Sequence, residues 1–132
     1  MTAYRDGVCF VDLAPVDSPR FVPSALASAL GLGIQSEDPV LSLISFLRDK
    51  QLLIVLDNYD HVSDAAASLA DSILKCATAV NVLATSRQPT GAEGEAVQRL
   101  GPLGTPSRES KLTAAVALTF PSVQLFVERA AT

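Results

Sequence analysis

The sequence is short of most features that decide a protein's class early. Aromatic residues make up only 5% of its 132 positions while alanine is abundant, so its helices can lie close against a sheet. Ten lysines and arginines against 14 acidic residues give a net charge of −4, and the basic residues form no cluster. That balance argues against a nucleic-acid-binding surface on this segment. No run approaches the ~18 apolar residues of a membrane span. Residues 1–7 are too polar for a signal peptide, so a cytoplasmic location is expected. There are two cysteines, Cys9 and Cys76, both in apolar surroundings, and they read as reduced core thiols rather than a disulfide.

What is present is 48% hydrophobic residues, enough for the core of one domain. Residues 8–13 (VCFVDL) read as a buried strand, closed by Asp12 and Pro15. Between Arg20 and Leu30 the apolar residues Val22, Ala25, Leu26, Ala29 and Leu30 fall at helical spacing, with Gly31 and Gly33 as the stop. A second helix follows Pro39, with Val40, Leu43, Ile44 and Leu47 on one face and basic residues at its end. Leu52 to Leu56 is a second strand. Ser63 or Asp64 is suited to cap a third helix whose inner face is Ala66, Leu69, Ala70, Ile73 and Leu74. Residues 80–84 (VNVLA) form a third strand. Beyond a loop at 88–95, residues 96–100 suggest a short edge strand, and Pro121 opens a last helix with Val123, Phe126, Val127 and Ala130 on its apolar side. Continuously apolar strands alternating with helices indicate an α/β domain with a parallel sheet covered on both faces.

In an open parallel sheet, ligands bind at the carboxyl ends of the strands. Those ends carry Asp12, then Asp57 with Asn58, then Thr85, Ser86 and Arg87. An acid, an amide, two hydroxyls and an arginine on one rim suit magnesium plus phosphate, since magnesium takes one or two carboxylates and arginine offers a fork of donors. The competing reading is that these residues merely end strands in solvent. His61 beside a single acid is read as a packing or capping residue.

The stretch LLIVLDNYDHV (52–62), followed by VNVLATSR (80–87) and then Gly94 and Glu95, resembles the STAND class of signal-transduction ATPases. More narrowly, it is similar to the NB-ARC-like ATPase domains of large bacterial transcriptional regulators. The opening DGVCFVDLAPVDSP and the closing PSVQLFVERA resemble that family's second strand and the first helix of its lid. The resemblance implies a parallel sheet in the three-layer α/β/α P-loop NTPase (ASCE-type) arrangement, incomplete here. It divides the chain into a partial ATPase core (1–100), a linker (101–120) and the start of a helical lid (121–132). It makes Leu52–Asp57 the Walker B strand and Asp57 the magnesium-orienting acid. Asn58 falls where a second acid often stands, and Asp60 is either a water-polarising base or a turn residue. Thr85, Ser86 and Arg87 match the sensor segment, with Arg87 reading the terminal phosphate. The implied ligands are ATP or ADP with Mg2+.

The same chemistry needs a GxxxxGK[ST] loop, and the sequence has none. Gly31 and Gly33, in GLGIQS, lack the lysine and follow a helix rather than a strand. The chain is therefore expected to be a fragment that binds no nucleotide alone. Its expected partners are the remainder of its own ATPase domain and an effector domain, together with further copies of itself. For the complete domain a slow ATPase is implied; for this chain, no activity. The alternative is a stand-alone interaction module that kept the fold without nucleotide. A phospho-accepting receiver domain fits poorly, because VNVLATSR carries an arginine where a lysine is wanted.

Overall fold

The computed structural model describes residues 3–33, 37–108 and 111–132. The last three residues of GLGIQS, and residues 109 and 110 within the 101–111 stretch, lie outside the described residues. The chain divides into two compact units, Met1–Ala96 and Val97–Thr132.

The first unit contains strand β1 (Val8–Asp12), helices α1 (Val22–Ala29) and α2 (Pro39–Leu47), strand β2 (Leu53–Asp57), helix α3 (Ser63–Cys76) and strand β3 (Asn81–Ala84). The three strands form one parallel sheet in the order β1-β2-β3. Register places Cys9 beside Ile54 and Ile54 beside Val82, and Val11 beside Leu56. Those residues share one face, and on it lie Leu26 of α1, Leu43 and Leu47 of α2, and Leu69 and Ile73 of α3, all buried. Each such fully buried leucine or isoleucine contributes roughly 1.5–3 kcal/mol relative to exposure.

Local signals start and stop the helices. The Asp38 carboxylate accepts from the Val40 and Leu41 amides at 3.1 and 3.2 Å, and Pro39 fills the first helical position of α2. Gly31, at φ +74°, ends α1 in the left-handed region that glycine tolerates. Helix α3 starts differently from expectation. A 3-10 turn at Asp60–Val62 runs straight into Ser63, which is the first helical residue and not a cap.

Within this unit the helices cover only one face of the sheet, so the unit has two layers and not three. On the other face Val8, Phe10 and Leu83 are 62%, 61% and 55% exposed. Topology supplies the reason. Both crossovers move along the sheet in the same direction, and right-handed connections then put every helix on the same side. Cys76 also departs from expectation, being exposed at the end of α3, whereas Cys9 is buried.

The second unit holds α4 (Ala114–Ala117) and α5 (Pro121–Ala130). Thr113 caps α4 through its side chain, and Ser122 ties the start of α5 to the Gly104 carbonyl through its hydroxyl at 2.9 Å. Residues 96–100 form no strand. They pair with no other strand, and Leu100 is exposed. None of the apolar residues of α5 is buried. Among the described residues no helix is long and apolar enough to cross a membrane.

An apolar sheet face and an unpaired outer side of β3 are templates for association. The isolated 132-residue chain should bind a hydrophobic dye and scatter light as more than a monomer. Leu83→Lys should lower both signals without lowering the melting temperature. A compact, dye-silent monomer of the unmodified chain would show that this face is closed in solution.

Candidate functional site at the carboxyl rim of the sheet

Strand β2 leaves the sheet with its backbone held from both sides. The Leu13 amide donates to the Asp57 carbonyl at 3.0 Å, and the Thr85 amide donates to the Leu56 carbonyl at 2.9 Å. Asn58 follows at φ +60°, the only non-glycine residue in the left-handed region among those described. Asparagine adopts that conformation more readily than other side chains. The turn it makes brings Asp57 and Asp60 to the same side, facing the residues that follow β3.

Those residues divide between the two acids. The Thr85 hydroxyl donates to Asp57 Oδ1 at 2.5 Å and accepts from the Asn58 amide at 3.2 Å. The Ser86 hydroxyl donates to Asp60 Oδ1 at 2.7 Å, and the Arg87 amide donates to the same oxygen at 2.9 Å. The Gln88 amide in turn donates to Ser86 Oγ at 3.0 Å. The Arg87 guanidinium approaches Asp60 Oδ2 only to 3.9 Å and is 90% exposed. Asp57, Asn58, Asp60, Thr85, Ser86 and Arg87 together line an open pocket of about 290 Å³. The Ser86 hydroxyl first, and then the Arg87 amide, hold the Asp60 carboxyl below the ordinary aspartate value.

All six site residues named from the sequence therefore meet in one place. Asp12 does not join them: it lies in register beside Asp57, but its carboxylate accepts from the Ala14 amide at 3.0 Å in a local turn. His61 Nε2 donates to the Val16 carbonyl at 2.7 Å, tying the loop after β1 to the turn after β2. A carbonyl only accepts, so that nitrogen carries the proton. Glu95 closes its own loop by accepting from the Thr90 and Gly91 amides, each at 2.9 Å. Sequence reasoning missed Tyr59, which is buried and whose hydroxyl donates to the Gln88 carbonyl at 3.2 Å. Its only signal was an aromatic residue between polar ones.

The donor set is not a cation cage, since no group of three or more His, Cys, Asp or Glu side chains converges among the described residues. It does fit a hydrated magnesium ion, which needs only one or two carboxylates when phosphate and water complete the shell. Asp57 has one oxygen taken by Thr85, leaving the other without a protein donor among the described residues.

Two proteins of similar sequence carry the name "Putative HTH-type transcriptional regulator", one from Mycobacterium tuberculosis and one from Mycobacterium bovis. Each is 38% identical over 127 residues, covering 96% of this chain and 13% of the relative. A protein of M. tuberculosis named only "Uncharacterized protein" is 32% identical over 120 residues, 90% of this chain and 27% of the relative. This chain thus spans 13% to 27% of the length of these relatives. No family model matches the chain, and no solved structure does.

Two outcomes follow from this geometry. Asn58→Gly should leave the melting temperature nearly unchanged, while Asn58→Val should lower stability by roughly 1–3 kcal/mol, the cost of a strained left-handed residue. Denaturant unfolding of both variants checks it; equal loss in both would mean the Asn58 side chain, not its backbone, matters. Asp6, Asp60 and Glu95 all have depressed carboxyl pKa values, held down mainly by the Gln51 amide, the Ser86 hydroxyl and the Thr90 amide respectively. Acids lowered by folding contribute stability that is complete above their unfolded values, 3.8 for aspartate and 4.5 for glutamate, and is lost as pH falls through the lower folded values. Melting temperature should therefore hold from pH 7 to about 5 and fall below about 4, and Asp60→Asn should flatten part of that fall.

Proposed function

We propose that this chain is part of a nucleotide-dependent switch in a transcriptional regulator, and that its rim binds the phosphate end of Mg-ATP or Mg-ADP. One observation carries the reading. Two adjacent parallel strands deliver Asp57 and the Thr85–Arg87 segment to a single open pocket at their carboxyl ends, where such sheets take ligands. The relatives named as transcriptional regulators support the wider role.

In this reading Asp57 would help hold the magnesium ion, and Thr85 fixes the carboxylate's rotation by donating to Oδ1. Bound magnesium would neutralise charge on the phosphates. Arg87, exposed and weakly paired, presents its planar fork of donors to the terminal phosphate of ATP, which ADP lacks. Asn58 supplies a turn rather than a second acid, which accords with a slow switch. The P-loop NTPase architecture belongs to the same proposal: the observed order β1-β2-β3 is the order its second, third and fourth strands would take. Asp60 is engaged by two donors on one oxygen, the Ser86 hydroxyl and the Arg87 amide, and in this reading it acts as an anchor and not as a water-polarising base. The alternative, an interaction module without nucleotide, is favoured by the bare apolar sheet face.

Fluorescent ATP and ADP analogues with magnesium, titrated into the full-length natural protein, test the proposal. Asp57→Asn should weaken magnesium-dependent binding about tenfold or more with the fold intact, since one charged contact contributes roughly 1.5–3 kcal/mol. Arg87→Ala should weaken ATP more than ADP. Equal weakening of both would make Arg87 a structural rim charge, and wild-type protein that binds neither would favour the interaction module.

A further inference from the structure

We propose that Asp60 is the positioning residue for the arginine that discriminates ligands at this rim, acting through the backbone and hydroxyl of the segment that carries it. The proposal rests on the nucleotide reading for the ligand, but its geometric part stands without one.

Arg87 is not held by its side chain. Its guanidinium is 90% exposed and 3.9 Å from the nearest carboxylate oxygen, a pairing too loose to fix a long side chain. Its position is instead set from below. Asp60 Oδ1 receives two donors, the Ser86 hydroxyl at 2.7 Å and the Arg87 amide at 2.9 Å. Hydrogen bonds to an ionised carboxylate are about twice as strong as neutral ones. Because Ser86 Oγ also accepts from the Gln88 amide, the influence of Asp60 extends one residue further. Tyr59, its neighbour, holds the Gln88 carbonyl from the buried side. Residues 59 and 60 thus grip residues 86–88 by three direct contacts, while Asp57 grips only Thr85.

Asp60 is itself well placed to act as an anchor. It opens the 3-10 turn that leads directly into α3, whose inner face is core, so its backbone moves with the rigid part of the unit. Its side chain is 21% exposed, against 90% for Arg87. Its carboxyl is held below the ordinary aspartate value, chiefly by the Ser86 hydroxyl, so at neutral pH it is an acceptor only. The result divides the labour: a fixed acid orients the backbone at Arg87, and the tip of the arginine stays free to meet an anion.

Two measurements decide the matter. In this chain without ligand, Asp60→Ala should speed amide exchange at Arg87 and Gln88 by about tenfold or more, leaving the amides of β2 unaffected. Asp60→Asn, which keeps a neutral acceptor, should restore part of the protection; unchanged exchange in Asp60→Ala would overturn the anchoring. In the full-length protein, fluorescent ATP and ADP analogues with magnesium supply the second readout. Asp60→Ala should reduce ATP-over-ADP preference by about fivefold or more, and adding Arg87→Ala should cost nothing beyond Arg87→Ala alone. Fully additive losses would overturn the action through Arg87. Wild-type protein that binds neither analogue would fell the nucleotide reading, while the exchange experiment still decides the anchoring.

Discussion

The rim depends on β2 being held from both sides. Ile54 and Leu56 are buried in the core, and each has a register partner on either flanking strand. The ladder continues beyond the strand's end on both sides, through the Leu13 amide on Asp57 and the Thr85 amide on Leu56. A carboxylate delivered by such a strand cannot drift relative to its neighbours without breaking backbone hydrogen bonds. That is the physical use of an apolar run that ends in an acid. The turn after it is then free to be unusual, and Asn58 makes it so.

The connectivity that stacks the helices on one face of the sheet also leaves the other face exposed. With strands added in the order β1-β2-β3 and right-handed crossovers, α1, α2 and α3 all fall on one side. A helix reaches the other side only through a crossover that runs back along the sheet. Val8, Phe10 and Leu83 are therefore exposed for a topological reason and not because the sequence lacks apolar residues there. The covered face and the exposed face of the sheet come from the same rule.

Much of this was legible in the sequence because apolar spacing and strand ends are local signals. The three strands, the helix after Pro39 and the helix opened by Pro121 lie within a residue or two of where spacing puts them. The six rim residues converge because parallel strands share a carboxyl end, a rule that needs no tertiary knowledge. What was not legible depends on contacts across the fold. Continuous apolar strands suggested cover on both faces, yet hydrophobicity records what a face prefers and not what is present to cover it. Cys76 looked buried by its neighbours but falls at the exposed end of α3. Residues 96–100 have a strand's composition, but among the described residues no strand pairs with them. The backbone at Asn58 and the grip of Tyr59 on Gln88 leave no periodic trace at all.

The division between Asp57 and Asp60 shows why two acids three residues apart are not interchangeable. Asp57 ends a strand and accepts a single hydroxyl, which leaves one oxygen without a donor among the described residues and able to take part in binding. Asp60 begins a turn, receives two donors on one oxygen and has the guanidinium near the other, so its capacity is already used inside the protein. An ion or phosphate arriving at the pocket would find Asp57 available and Asp60 occupied. Arginine shows the reverse pattern, fixed at its amide and free at its tip. A site that must respond to an anion needs a cation that is oriented but not neutralised. Holding Arg87 through its backbone meets both conditions, where a tight side-chain ion pair would meet only the first.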